Sequence, residues 1–222
     1  MTTPPRRTSQ ISRSTHETRV TIYLSLDGGV IPSTYTPSPS AHHAIQTSPT
    51  QNIDIDTGIG FLDHMLHALS KHAGWTLYAR TQGDLQIDDH HSAEDSFLAL
   101  GQAFKSALGD AKGLARFGDA KAPLDEALSE AVVDLSNRPF AVIDLGLKRE
   151  KLGDLSTEMI PHCLHSFAMA AGITIHMRNL YGENDHHKAE SAFKALALAL
   201  RKACARVKGK EGEIGSTKGV LF

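Results

Sequence analysis

Two stretches of this chain match each other residue by residue. His64, Leu66 and His67 are answered by His162, Leu164 and His165, and nine residues past each leading histidine the same pair follows, Ala73-Gly74 and Ala171-Gly172. Thr76 then matches Thr174, and Arg80 matches Arg178. After a connection two residues shorter in the second copy, His90, His91, Ser92, Ala93 and Glu94 face His186, His187, Lys188, Ala189 and Glu190, with Phe97 and Phe193 in register behind them. Duplication and fusion leave this trace, so the chain is expected to fold as two similar half-domains related by a pseudo-twofold axis. With 222 residues and 41% hydrophobic content it can bury a core across both.

Hydrophobic periodicity predicts a helix over residues 60–72 and its counterpart over 158–170. Strands follow at 75–80 and 173–178, where β-branched and aromatic residues are bounded by glycine. A longer helix starts near each His-His pair. It carries Phe97, Leu100 and Phe104 on one stripe and Phe193, Leu196 and Leu200 on the other copy's stripe, with Asp89 and Asp185 as expected N-caps. Extended segments precede each unit, at 19–26 in the first and at 131–135 and 140–145 in the second, the last two joined through Ser136, Asn137, Arg138 and Pro139. The expectation is an α+β fold with a first half-domain over 13–110 and a second over 111–210. Residues 31–50, rich in Pro, Ser and Thr and without periodicity, read as a surface insertion. Residues 1–12 are expected to be a disordered tail, and 211–222 a C-terminal tail.

The net charge of -2, with both signs interspersed, provides no broad cationic surface, so nucleic acid is not an expected partner. No apolar run of about 18 residues is present, and no membrane partner is expected. The first thirteen residues lack acids but also lack an apolar secretory core, and a cytoplasmic location is the expectation. Cys163 and Cys204 stand in unrelated contexts without CxxC spacing and are expected to be reduced thiols.

Residues three and four apart on a helix share a face, so Glu94 can stand beside His90 or His91. Sequence neighbours diverge by about 100° around the axis, so His90 and His91 are suited to two different metals. The same holds for His186, His187 and Glu190. Adding His64 and His162 from the preceding helices gives six imidazoles and two carboxylates, four ligands for each of two metals. This donor set suits Mn, Fe, Zn or Co. One His-His pair at a helix start is ordinary solvated polarity, but two in register, each with Glu at the same offset, point to metal ligation. His67 and His165, one turn further on, suit core hydrogen bonds or support of the ligands. His72 ends its helix, where it either complements the dipole or meets substrate. His42 and His43 fall in the insertion and are expected to be exposed.

Six blocks, GIGFLDHML (58–66), DDHHSAE (88–94), RFGDAKAPLDEA (116–127), SNRP (136–139), GENDHHKAESAFK (182–194) and STKGVL (216–221), carry a resemblance to the imidazoleglycerol-phosphate dehydratase family. It covers nearly the whole chain from Arg13 onward, apart from the insertion. The resemblance implies a hydro-lyase of histidine biosynthesis that converts imidazole glycerol phosphate to imidazole acetol phosphate. It further implies two metal ions per site, Mn2+, helices packed between two sheets, and a homo-oligomer of 24 subunits with sites between subunits. By the resemblance one metal takes His90, His162, His186 and Glu190, and the other His64, His91, Glu94 and His187. Glu17 is the family-like catalytic carboxylate, the alternative being an ordinary edge-strand glutamate. Arg116, Arg138, Lys194, Ser216 and Lys218 match blocks that hold the substrate phosphate, with His72 as a further substrate contact. Phe97 and His67 depart from the family pattern.

The implied chemistry overcomes a difficult elimination, because the proton to be removed lies on a carbon with no adjacent carbonyl. A ring held as imidazolate between two divalent ions can expel the hydroxyl from the attached carbon, giving a diazafulvene-like species whose neighbouring C–H is acidic. Two other readings of the same residues stay open here. One is a binuclear metallohydrolase of a phosphorylated small molecule. The other is a metal-storage shell in which histidines only join subunits.

Overall fold

The computed structural model of the chain describes residues 5–37 and 44–221. The first half runs β1 (Thr8–Ser14), β2 (Thr18–Ser25), β3 (Ile45–Thr47), β4 (Asn52–Asp56), α1 (Gly60–Ala73), β5 (Thr76–Gly83) and α2 (His90–Leu108). The second runs β6 (Phe117–Leu124), β7 (Ala127–Asp134), β8 (Phe140–Asp144), the short ribbon β9 (Lys151–Leu152) and β10 (Leu155–Ser156), α3 (Met159–Ala171), β11 (Thr174–Tyr181) and α4 (Asp185–Ala203). The first sheet has the order β1-β2-β5-β4-β3 and the second β6-β7-β11-β8. Each contains one parallel pair, β4 with β5 and β8 with β11, inside an otherwise antiparallel ladder.

The duplication extends to register. Arg80 lies opposite Thr21 and Asp56, and Arg178 lies opposite Glu130 and Asp144. The helices form an inner layer, with α2 on the first sheet, α4 on the second, and the pairs α1–α4 and α2–α3 packed together. Phe97 and Phe193 meet edge-on at 6.3 Å between ring centres, as equivalent residues near a pseudo-twofold axis should. The repeated Ala-Gly pair ends α1 and α3, because Gly74 and Gly172 take the left-handed cap conformation at φ 77° and 71°. Both helices therefore lie within one residue of their predicted bounds.

Several expectations change. The disordered tail does not extend to residue 12, since β1 starts at Thr8, pairs along its length with β2, and anchors through Ser9 Oγ donating to the Ala103 carbonyl at 2.6 Å. Within the insertion, β3 pairs with β4, and Tyr35 stacks between Tyr23 and Tyr78 at 5.6 and 4.6 Å, covering the outer face of the first sheet. His42 and His43 lie outside the described residues. Asp89 occupies the cap position of α2 without a side-chain cap bond, and Asn184, not Asp185, caps α4 by accepting from the His186 N–H. Both aspartates are occupied elsewhere. Cys163 and Cys204 are free and buried, and burial pushes the Cys204 thiol up to about 12. Among the described residues no helix is long and apolar enough to cross a membrane.

Candidate metal centre

The paired helices bring their N-terminal turns together. On α1 and α4, His64 Nε2 lies 3.0 Å and His186 Nε2 3.2 Å from the same oxygen of Glu190. On α2 and α3, His162 Nε2 lies 2.9 Å from Glu94 Oε1, and His90 Nε2 lies 3.8 Å from Glu94 Oε2. Within each triad the candidate ligand atoms all fall within 4.8 Å of one another. Two imidazole nitrogens and a carboxylate oxygen converging in this way fit a divalent transition ion and leave coordination positions open.

Local structure explains the convergence. His90 and Glu94 share a helix face at i, i+4, as do His186 and Glu190. The Asp89 carboxylate accepts from the backbone N–H and hydroxyl of Ser156, which fixes the start of α2 against the ribbon leading into α3. Asp185 accepts from the N–H groups of Lys148 and Arg149, each at 2.7 Å, and from buried Lys188 at 3.1 Å. Burial would raise the Glu190 carboxyl, but Lys194 at 2.8 Å and His64 outweigh it and hold it at about 2. The residue equivalent to Lys194 in the first half is Leu98, so Glu94 has no such cation on its own helix.

Within one chain these triads group the residues differently from the ligand partition implied by the resemblance. His186 and Glu190 join His64, not His90 and His162, and Glu94 joins His162, not His64. The reason is tertiary, because α1 packs on α4 and α2 on α3. His91 and His187 belong to neither triad. His91 Nδ1 lies 3.0 Å from Asp84 Oδ2, with Nε2 3.8 Å from Glu17. His187 Nδ1 lies 2.6 Å from Glu126 Oε2, with Nε2 3.9 Å from Asp125. The Asp84 hydrogen bond raises the His91 imidazole above its ordinary value, and the Glu126 bond does the same for His187. Asp84 and Glu126 are functional candidates missed in the sequence. The available signal was chemical, since a ligating histidine needs an acceptor for its other ring nitrogen.

Glu17 is exposed in the turn between β1 and β2, beside a depression of about 440 Å³ lined by Thr15, His16, Gln82, Gly83 and Asp84. His67 is half-buried, and His165 is exposed on α3. His72 sits near Lys194, its imidazole displaced below the ordinary value by burial first and by the Lys194 charge second. The other cations gather elsewhere. Arg116 donates to both oxygens of Asp134 at 2.8 and 3.0 Å and to the Gly215 carbonyl at 2.6 Å, with Arg138 3.7 Å from the same aspartate. Ser216 Oγ accepts from the Lys218 N–H at 3.2 Å, and Asn137 Nδ2 donates to the Leu221 carbonyl, so the tail is fastened beside the 136–139 turn. That turn lies at the C-terminal ends of α2 and α3, where Asn137 and Lys105 both crowd Gly172. Lys105 is fifteen residues beyond His90, which places this cluster roughly 22 Å along the helix from the α2–α3 triad. A single chain therefore does not bring Arg116, Arg138, Ser216 and Lys218 to that triad.

Comparisons with known proteins agree with one another. The family model for imidazoleglycerol-phosphate dehydratase matches residues 57–200. The imidazoleglycerol-phosphate dehydratase of Neurospora crassa is 64% identical over 222 residues, covering 98% of this chain and 97% of the relative. That of Candida albicans is 61% identical over 221 residues, covering 97% and 98%. The solved structure of the Pyrococcus furiosus enzyme in complex with (S)-C348 superposes with a TM-score of 0.73 at 31% identity, covering 95% of this chain and 100% of that one. The Staphylococcus aureus enzyme gives 0.71 at 30% identity, covering 90% and 99%.

Proposed function

The chain belongs to the imidazoleglycerol-phosphate dehydratase family and is a carbon–oxygen lyase of histidine biosynthesis, and from that premise we propose that it works through two divalent metal ions, Mn2+ by family likeness. The observation that carries this reading is the pair of His-His-Glu triads, each with its ligand atoms within 4.8 Å. Neighbouring histidines diverge around a helix, so His91 serves the other kind of site from His90, and His187 the other kind from His186. His91 then completes a His64–His186–Glu190 triad of a neighbouring copy, and His187 a His90–Glu94–His162 triad. This gives three imidazoles and one carboxylate at both.

The two triads would hold divalent cations, whose Lewis acidity would favour loss of the substrate ring's N–H proton. The chain's own groups do the rest. The hydroxyl on the ring-attached carbon would be expelled by the ring electrons and leave as water with the proton the ring gave up, while Glu17, 3.8 Å from His91 Nε2, would take the proton from the next carbon and return it to the ring-attached carbon. The remaining enol ketonises to imidazole acetol phosphate. Arg116, Arg138, Ser216 and Lys218 hold the phosphate, with Lys194 and His72 lining the approach beside Glu190. Since the phosphate cluster lies roughly 22 Å from its own chain's α2–α3 triad, the complete site forms between subunits of a homo-oligomer, a 24-subunit shell by family likeness.

The test is turnover of imidazole glycerol phosphate by purified protein with and without manganese. Formation of the ketone product, lost on chelation and restored by the metal, is the expected result. Full activity after exhaustive stripping would overturn the metal-dependent reading. Release of inorganic phosphate with no ketone formed would favour a binuclear hydrolase.

A further inference from the structure

Glu17 and Glu126 occupy the same place in the two half-domains. Thr21 pairs with Arg80 as Glu130 pairs with Arg178, and each glutamate lies four residues upstream, in the turn joining the first two long strands of its sheet. Their surroundings differ. In the first half Asp84 takes His91 Nδ1 at 3.0 Å, and Glu17 stays 53% exposed. In the second half Glu126 itself takes His187 Nδ1 at 2.6 Å with Oε2, while Oε1 accepts from the N–H groups of Glu183 at 3.2 Å and Asn184 at 2.9 Å. Both oxygens of Glu126 are thus committed, and one of its donors belongs to the residue that caps α4.

We propose that Glu126 is a positioning residue that holds His187 with its proton on Nδ1 and its lone pair on Nε2, so that the two duplicated glutamates have divided into a clamp, Glu126, and a free base, Glu17. This rests on the reading of His187 as a metal ligand. A neutral imidazole binds a metal through its unprotonated nitrogen, and the acceptor on the other nitrogen decides which one that is. A carboxylate opposite Nδ1 leaves only Nε2 for the metal. The His187 ring faces Oε2 while two backbone N–H groups donate to Oε1, so the Glu126 carboxylate is surrounded by donors and is built to accept from Nδ1. The division also explains why the first half needs a second carboxylate, Asp84, where the second half uses one.

Glu126→Gln makes the test sharp, because the amide has one acceptor oxygen. If that oxygen keeps the Glu183 and Asn184 N–H groups, the NH2 faces His187 Nδ1 and drives the proton to Nε2, the wrong tautomer for ligation. Manganese is titrated into stripped full-length protein, and free Mn2+ is counted by electron paramagnetic resonance. The expected result is one class of site weakened about 10- to 100-fold, the other unchanged, and turnover recovered at high manganese. Glu17→Gln should bind manganese like the parent and lose turnover that no added metal restores. Parent-like binding by Glu126→Gln, or equal weakening by Glu17→Gln, would overturn the proposal. If Glu126→Gln does not fold, Glu126→Asp, shortened by one methylene, should weaken the same class of site, and an unchanged isotherm overturns the proposal equally. Two intact classes of site in His187→Ala would instead sink the ligand reading beneath it.

Discussion

Asp27 ties both ends of the described chain to the first sheet. Its carboxylate accepts from the Arg7 backbone N–H at 2.8 Å and from the Arg7 guanidinium at 2.6 Å, with Arg206 at 3.4 Å. Burial alone would raise this carboxyl, but the hydrogen bonds and charge of Arg7, helped by Arg206, outweigh it and leave it below its ordinary value. A carboxyl depressed by folding contributes stability that is fully present above its unfolded value, about 3.9, and is lost as pH falls through the lower folded value. Asp27→Asn should therefore cost about 1.5–3 kcal/mol at neutral pH, the range for hydrogen bonds to charged groups, and should flatten the acid limb of the stability profile. Urea denaturation of metal-stripped protein at pH 7 and in the acid range reads both effects, and parallel profiles for parent and variant would contradict the assignment.

The elements differ in how far their own residues specify them. α1 and α3 follow from an apolar stripe of period 3.6 and a glycine stop, both local properties. β1 does not, because Thr-Ser-Gln-Ile-Ser-Arg-Ser has one apolar residue and gains its structure from the β2 ladder and the floor of α2. β6 is rich in Gly, Ala and Pro, poor strand formers, yet a Cβ on Gly118 would stand 2.0 Å from the Ala199 carbonyl, so close approach to α4 selects those small residues. The residues of the two triads stood out in the sequence because the duplication displays them twice. Their partition did not, since it depends on which helices pack together. Gly101 sets one such packing, as a Cβ there would lie 2.7 Å from both the Phe167 carbonyl and Ala170 Cβ of α3. Gly101→Ala gains about 1 kcal/mol of helix preference but must push α2 from α3, with a net loss of about 1–2 kcal/mol. Manganese affinity should fall at the His90–Glu94–His162 triad and hold at the other. Gly60→Ala, with nothing within 4 Å of the added carbon, is the control expected to be neutral or slightly stabilising. A Gly101→Ala protein as stable as the parent would mean that the helix pair yields freely.

At the scale of the whole molecule, what one chain lacks is as orderly as what it holds. It completes two triads, leaves two anchored histidines outside them, and keeps four of its phosphate-binding candidates at the far ends of the helices that present one triad. If copies exchange histidines and cations through a closed symmetry, as proposed above, each surplus group answers a missing one. Metal binding and assembly are then linked, because an ion bridging two chains stabilises only the associated state. Light scattering should show a large species with manganese, and smaller species once a chelator removes the ion. The double variant His91→Ala with His187→Ala removes the bridging ligands but keeps both triads, and should remain small at manganese concentrations that assemble the parent. If it assembled as readily as the parent, the contacts between chains would owe nothing to shared metals. A fully active monomer would remove the need for exchange altogether, since the phosphate cluster of one chain does not reach its own α2–α3 triad.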